Sequence, residues 1–124
     1  MNVVDSSGWL EYFSESTNAD FFAPAIQKTE SLIVPTICVY EVFKRLFIQR
    51  GEEKALTAVG IMSLGHIAEL TREIAVNAAS LSAELKLAMA DSVILATART
   101  HHATLWTQDA DLAKIDRVRY IRKK

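Results

Sequence analysis

Five short apolar segments alternate along the chain with longer segments whose apolar residues repeat at helical spacing. Short runs of this kind, bounded by turn-forming residues, are typical of buried strands. The predicted strands are residues 3–4, 31–34, a part of 65–70, 103–107 and 118–121. Because proline has no backbone N–H to donate, Pro35 is expected to end the second strand.

Helical spacing is clearest after the first strand, where Trp9, Tyr12 and Phe13 fall at i, i+3 and i+4. We expect these three aromatic side chains to lie in the core or in a contact between subunits. Phe43 and Phe47 have i, i+4 spacing and are expected in the core. The predicted helices begin at Ser6 or Ser7 and then cover about 18–29, 36–51, 51–63, 72–85 and 90–102, with a helical turn at 109–113.

Hydroxyl and proline residues at the predicted helix starts suggest how these helices are capped. Ser6 or Ser7 is expected to cap the first helix, and Thr36 the long helix after the second strand, because a hydroxyl accepts a hydrogen bond from a free backbone N–H. Strands that alternate with helices are joined by right-handed crossovers in a parallel sheet. The pattern therefore predicts an α/β fold: one three-layer α/β/α domain over residues 1–124 with a central, mainly parallel sheet.

Composition narrows the function classes. The chain has 124 residues, half of them hydrophobic, and a net charge of −1, so no overall basic field marks it as a nucleic-acid binder. Cys38 is the only cysteine, which excludes an internal disulfide and a multi-cysteine zinc site. The first apolar run is too short for a signal peptide, and no segment reaches membrane-spanning length. We expect a cytoplasmic protein without a membrane partner.

Four acidic residues fall where a parallel sheet binds its ligands, beyond the carboxyl ends of the strands. Taken singly, an acid in the first turn of a helix is usually a cap or a partner of the helix dipole. Four converging carboxylates, however, repel each other by about 1–4 kcal/mol per close pair unless a cation binds among them. An all-oxygen site of this kind suits Mg²⁺ or Mn²⁺, which can activate water for attack on a phosphodiester. The four acids are Asp5, Glu41, Asp91 and Asp109.

The motifs "VVDSSGWLEYF", "YEVFKRL" and "ADSVILATARTHHATLWTQDADL" together resemble the PIN-domain ribonucleases, and more narrowly the VapC-type toxins of toxin–antitoxin pairs. The similarity spans nearly the whole chain and is most specific over residues 90–112. It implies a PIN-like fold and a metal-dependent endoribonuclease with Mg²⁺ or Mn²⁺. It also implies an RNA substrate, a cognate antitoxin protein and a homodimer.

The resemblance also assigns residues by position. Asp5, Glu41, Asp91 and Asp109 match the catalytic, metal-binding acids of the family. Ser6 and Thr107 match its supporting hydroxyl positions. Asp111 is a further acid that either binds the metal through water or caps its turn, and we favour the cap.

Basic residues near Glu41 allow two interpretations. Lys44 and Arg45 lie one helical turn from Glu41, so they either contact RNA phosphates beside the metal site or form a solvated helix face. The basic C-terminal residues are a weaker signal for RNA binding.

Other residues and protein classes fit the pattern less well. His101 and His102 suit the negative end of a helix dipole, and His66 and Cys38 are expected to be structural. A haloacid dehalogenase-type phosphatase requires an acid where this chain has Ser7, and a response-regulator receiver requires an aspartate at the end of the third strand, where "HIAEL" offers Glu69. The remaining alternative is a catalytically weak PIN-like module that only binds proteins.

Overall fold

The computed structural model describes all residues from 1 to 124. It contains five strands and six α-helices. In chain order these are β1 (Asn2–Val4), α1 (Ser6–Phe13), α2 (Ala19–Gln27), β2 (Leu32–Pro35), α3 (Thr36–Arg50), α4 (Glu52–Met62), β3 (His66–Ala68), α5 (Arg72–Leu85), α6 (Met89–Thr100), β4 (Thr104–Thr107) and β5 (Val118–Tyr120). Two short 3₁₀ turns, Thr29–Ser31 and Ala110–Leu112, precede β2 and follow β4.

All five strands pair in parallel, in the order β3-β2-β1-β4-β5. The first strand of the chain is therefore the central strand, and Val3 pairs with Ile33 on one side and Leu105 on the other. The chain adds β2 and β3 on one side of β1 and later adds β4 and β5 on the other side. Ligand sites of parallel sheets form where the strand order reverses in this way.

The core forms where the helices cover the sheet. Trp9, Phe22 and Leu105 are fully buried or nearly so, and so are Val3 and Val4 of the central strand. No helix combines the length and apolarity needed to cross a bilayer.

Gly8 lets α1 pack closely against its neighbours. A Cβ atom at this position would lie 2.7 Å from the Phe22 ring and 2.7 Å from a methyl carbon of Val4. Side-chain atoms do not approach this closely, so only glycine fits here. The close packing sets the position of α1 relative to β1, and with it the position of the residues that join them.

Two of the predicted caps are wrong. Asp5, rather than Ser6 or Ser7, caps α1, because its carboxylate accepts a hydrogen bond from the Gly8 N–H at 2.8 Å. Thr36 is already the first residue of α3, and Pro35 occupies the cap position without a side-chain hydrogen bond. Pro35 has φ −62°, a value compatible with both the end of β2 and the entry into a helix.

The aromatic predictions are confirmed except for Phe47. Trp9 is fully buried, and Tyr12 and Phe13 pack against the core while remaining partly exposed. Phe43 also packs against the core, whereas 48% of Phe47 is exposed. Phe47 instead stacks on the Phe43 ring at the surface, with ring centroids 5.6 Å apart.

Candidate active site

The Asp5 carboxylate stands at the carboxyl end of the central strand. It is 3% exposed and accepts hydrogen bonds from the Gly8 N–H and from the Ser7 hydroxyl at 2.9 Å. The Thr107 hydroxyl donates to its other oxygen. Burial raises the pKa of Asp5 above its usual value, and the three hydrogen bonds oppose this shift without cancelling it. Asp5 is thus both the cap of α1 and a buried acid that costs free energy when charged.

Thr107 connects the ends of β1 and β4. Its fully buried hydroxyl donates to Asp5 and accepts a hydrogen bond from the Asp109 N–H at 2.9 Å. One side chain therefore fixes the distance between two predicted metal-binding acids. This geometry agrees with the supporting role predicted for Thr107.

Asp109 caps the turn that follows β4. Its Oδ1 atom accepts a hydrogen bond from the Asp111 N–H at 2.9 Å. The interpretation of Asp111 as the cap is therefore wrong, because a cap must precede the turn whose N–H groups it accepts, and Asp111 lies inside that turn.

Ser6 connects α1 to α3. Its hydroxyl donates to Oε1 of Glu41 at 2.6 Å, although the two residues are 35 positions apart. Glu41 is half-buried in the second turn of α3. This hydrogen bond limits the rotamers of the Glu41 side chain, and Ser6 thereby orients the Glu41 carboxylate.

Asp91 lies in the first turn of α6 and comes close to the acids after β4. Partial burial, a hydrogen bond with Asp109, and the negative charges of Asp109, Asp5 and Glu41 raise the pKa of Asp91 to about 7. One carboxylate oxygen from each of Asp91, Asp109 and Asp111 lies within 4.8 Å of the other two. Asp111 is the member of this group that sequence reasoning did not favour as a ligand.

The donor set fits a hard divalent cation. It consists of carboxylate oxygens alone, which Mg²⁺ and Mn²⁺ prefer over nitrogen or sulfur. Partial burial and, after it, the neighbouring carboxylates disfavour the charged form of Asp91, and a bound cation would favour that form. The acids that could supply ligands to it are Asp5, Glu41, Asp91, Asp109 and Asp111.

A cavity of about 400 Å³ beyond the carboxyl edge of the sheet is lined by four of these five acids, all but Asp111. Its lining combines the four predicted acids with basic, aromatic and small residues: Asp5, Ser6, Ser7, Leu10, Tyr40, Glu41, Lys44, Arg45, Ile48, Asp91 and Asp109. A cavity of about 490 Å³ between α5 and α6 is larger, but its polar residues are exposed and only two of them, Glu73 and Glu84, are acids. The density of carboxylates, rather than volume, distinguishes the candidate site.

A buried polar network supports the loop that carries Asp109, and the sequence patterns did not reveal it. Asn18 and Gln108 are 2% and 4% exposed, and the Asn18 amide donates to Oε1 of Gln108 at 3.0 Å. The same amide donates to the Arg122 carbonyl at 3.1 Å, and Glu11 accepts from the Asn18 N–H and the Gln108 amide at 3.0 and 3.2 Å. The only sequence signal was an uncharged polar residue between Thr107 and Asp109.

The structure agrees with the predictions for Cys38 and His101, and it places His66 at the surface. Cys38 is buried as expected, and burial raises the pKa of its thiol, so the reactive thiolate is disfavoured. His101 directly follows α6, as predicted for a residue at the end of a helix. His66 is exposed, and its ring centroid lies 6.1 Å from that of His101.

Known proteins share this architecture. The family model described as PIN domain matches residues 3–118. A chain of a toxin–antitoxin complex from Klebsiella pneumoniae is 26% identical, with a TM-score of 0.81 over 96% of this chain and 96% of that one. VapC20 of Mycobacterium tuberculosis, a Sarcin-Ricin loop cleaving toxin, is 14% identical, with a TM-score of 0.76 over 94% of this chain and 95% of that one.

No curated protein sequence matches the chain. A third solved structure has the same fold. DNA-bound VapBC from Salmonella typhimurium is 15% identical, with a TM-score of 0.74 over 98% of this chain and 96% of that one. The parallel five-stranded sheet between helices confirms the predicted three-layer α/β/α fold. Since the family model covers nearly the whole chain, the protein belongs to the PIN-domain family.

Proposed function

We propose that this protein is a divalent-metal-dependent endoribonuclease and the toxin of a type II toxin–antitoxin pair. One observation carries the proposal: four acids that are distant in sequence line a single cavity in a chain of the PIN-domain family. A chain that only binds proteins has no use for repelling carboxylates in one cavity. Their presence therefore favours an active nuclease over a catalytically weak binding module.

Each part of the cavity has a proposed task. The carboxylates hold Mg²⁺ or Mn²⁺, with Thr107 keeping Asp5 in place and Ser6 keeping Glu41 in place. A bound divalent cation supplies positive charge that makes water more acidic and offsets charge on the phosphate during in-line displacement. Lys44 and Arg45 contact phosphate oxygens of the RNA, because they line the same cavity and carry the only positive charges in it.

The proposed partners follow from the structural relatives. The Klebsiella pneumoniae chain belongs to a toxin–antitoxin complex and covers almost the same length as this chain, so we propose a cognate antitoxin protein as the natural inhibitor. RNA is the proposed substrate because VapC20 is a toxin that cleaves the Sarcin-Ricin loop. We further propose that the protein works in the cytoplasm as a homodimer.

Expression in cells tests the toxin proposal. Induced expression of the chain should arrest growth, and co-expression of the product of the neighbouring gene should relieve the arrest. Sequencing of RNA 5′ ends should then show new cleavage sites that are absent when Asp91→Asn is expressed. Normal growth together with unchanged RNA ends would instead favour the protein-binding module.

Removal of metal tests the chemistry on purified protein. Cleavage of an oligoribonucleotide should stop with EDTA and return with excess Mg²⁺ or Mn²⁺, because the carboxylates cannot supply the missing positive charge. The Asp20→Asn variant should respond to EDTA and to added metal in the same way as the parent, since Asp20 is an exposed acid on α2 outside the cavity. Cleavage that persists in EDTA after nuclease contamination has been excluded would contradict metal dependence.

A further inference from the structure

Tyr40 is a large aromatic side chain that the fold leaves mostly outside the core. It is 63% exposed on α3, while its helix neighbours Cys38 and Val42 are fully buried. A tyrosine stabilises a fold mainly through buried area, so Tyr40 contributes little to folding. It directly precedes Glu41 and lines the same cavity as the acids.

Two cationic side chains lie near the exposed Tyr40 ring. Lys44 lies one helical turn further along α3, and its ammonium nitrogen is 5.9 Å from the centroid of the Tyr40 ring. Arg45 also lines the cavity. One helix therefore places an aromatic face and two cationic groups beside a set of carboxylates.

This combination matches the parts of a nucleotide. The acids would hold a cation that binds one phosphate, the basic side chains would bind a neighbouring phosphate, and the exposed Tyr40 ring would stack on a base. Stacking between a base and an aromatic side chain is worth about 1–3 kcal/mol and requires a base whose face is free. In an A-form duplex, neighbouring base pairs cover those faces, so only an unpaired base can use an exposed tyrosine.

We propose that Tyr40 is the stacking platform for an unpaired nucleobase next to the phosphate bound at the acids. The inference rests on the proposed ribonuclease function and deepens it. Every base has an aromatic face, so Tyr40 distinguishes unpaired from paired nucleotides without distinguishing one base from another.

Binding measurements test the platform directly. In the Asp91→Asn background, which keeps the RNA intact, the probe is a fluorescein-labelled single-stranded oligoribonucleotide in Mg²⁺ buffer. Tyr40→Ala should raise its Kd about tenfold, and Tyr40→Phe should restore tight binding because it keeps the ring. Tyr120→Ala is the matched control, since Tyr120 is also partly exposed but lies outside the cavity.

A strand with abasic sites separates stacking from phosphate contacts. It keeps the phosphates, so the chain with Tyr40 should bind it about tenfold more weakly than ordinary RNA, and Tyr40→Ala should cause no further loss. On the fully paired duplex, Tyr40→Ala should leave Kd unchanged. An equal loss on single-stranded, abasic and duplex RNA would overturn the proposal, because it would show an effect on phosphate binding.

Turnover measurements separate this inference from the function on which it rests. In the chain with Asp91 intact, Tyr40→Ala should raise KM about tenfold on single-stranded RNA and leave kcat nearly unchanged. If the parent cleaves RNA and Tyr40→Ala has the same KM, the stacking inference is overturned and the ribonuclease proposal stands. If the parent neither binds nor cleaves RNA, both are overturned. If Tyr40→Ala affects only inhibition by the antitoxin, Tyr40 contacts protein and the inference is overturned.

Discussion

Asp5 shows how a single residue can serve the fold and the site together. Its carboxylate accepts hydrogen bonds from the Gly8 N–H, the Ser7 hydroxyl and the Thr107 hydroxyl. Two of these donors begin α1, and the third ends β4. The same carboxylate thus starts a helix, joins two strands and contributes negative charge to the cavity.

Replacing Asp91 should separate activity from stability. Asp91→Asn should reduce RNA cleavage at least about 100-fold, since it removes a proposed cation ligand. In metal-free buffer at pH 8 it should leave the free energy of unfolding unchanged or raise it by about 1 kcal/mol, because it removes repulsion by Asp109. Urea unfolding and a cleavage assay measure the two effects, with Asp20→Asn as the control. Full cleavage by purified Asp91→Asn would refute the site assignment.

Replacing Thr107 tests whether a buried hydroxyl aligns the acids. Thr107→Val keeps the shape but removes the donor to Oδ2 of Asp5 and the acceptor of the Asp109 N–H, so it should lower the free energy of unfolding by about 1–3 kcal/mol. Cleavage should fall about 10–100-fold. Thr107→Ser retains the hydroxyl and should recover most of both losses. If Val and Ser variants behave alike, the hydroxyl has no aligning role.

At the scale of helices and strands, the network around Asn18 fixes the loop after β4. Asn18→Ala removes the amide that donates to Gln108 and to the Arg122 carbonyl, and it leaves the buried Oε1 atom of Gln108 without this donor. We expect the free energy of unfolding to fall by about 1–3 kcal/mol. Asn77→Ala, at an exposed position on α5, should change it by less than about 0.5 kcal/mol. Similar urea midpoints for the two variants would show that the network contributes nothing.

The patterns that predicted the elements explain what else could be predicted. Short apolar runs and helical spacing located every strand and helix to within a few residues, because burial of apolar side chains decides these elements. The exposure of Phe47 was missed, since spacing shows which residues share a face but not where that face ends. The caps could not be decided from sequence: Asp5 competes with Ser6 and Ser7 at the start of α1, and Asp109 with Asp111 in the turn after β4, because serine and aspartate both favour such positions.

The candidate site was only partly predictable from sequence. Asp5, Glu41, Asp91 and Asp109 could be proposed because strand ends and a family resemblance mark their positions. The link between Asn18 and Gln108 spans 90 positions and follows no periodic pattern, so it emerges only from the folded chain. Asp111 differs again: its backbone place inside the turn brings its side chain near Asp91 and Asp109.

At the scale of the whole molecule, carboxylates that are buried and close together should make stability depend on pH. The folded chain binds a proton at Asp91 with a pKa of about 7, against 3.8 for an unperturbed aspartate, and burial raises the Asp5 pKa in the same direction. Between about pH 4 and pH 7 the folded state therefore holds more protons than the unfolded state. The free energy of unfolding of the metal-free protein should fall as pH rises through this window.

Urea unfolding from pH 4 to 8 measures this dependence. Excess Mg²⁺ should reduce the decline, because a cation stabilises the charged acids only in the folded state. Asp91→Asn should also reduce it, while Asp20→Asn should not. A metal-free protein whose stability rises steadily across the window would contradict the raised pKa values of Asp91 and Asp5.

The sheet order also has a consequence for biosynthesis. The central strand is made first, but its neighbour β4 and the Asp109 loop are made about a hundred residues later. A nascent chain on the ribosome can neither complete the sheet nor bring Asp109 to Asp5 until residues 104–109 have emerged. Chains that terminate before Thr104 should therefore be harmless to the cell that makes them. Expression of a series of genes with stop codons at successive positions, with growth as the readout, tests this expectation.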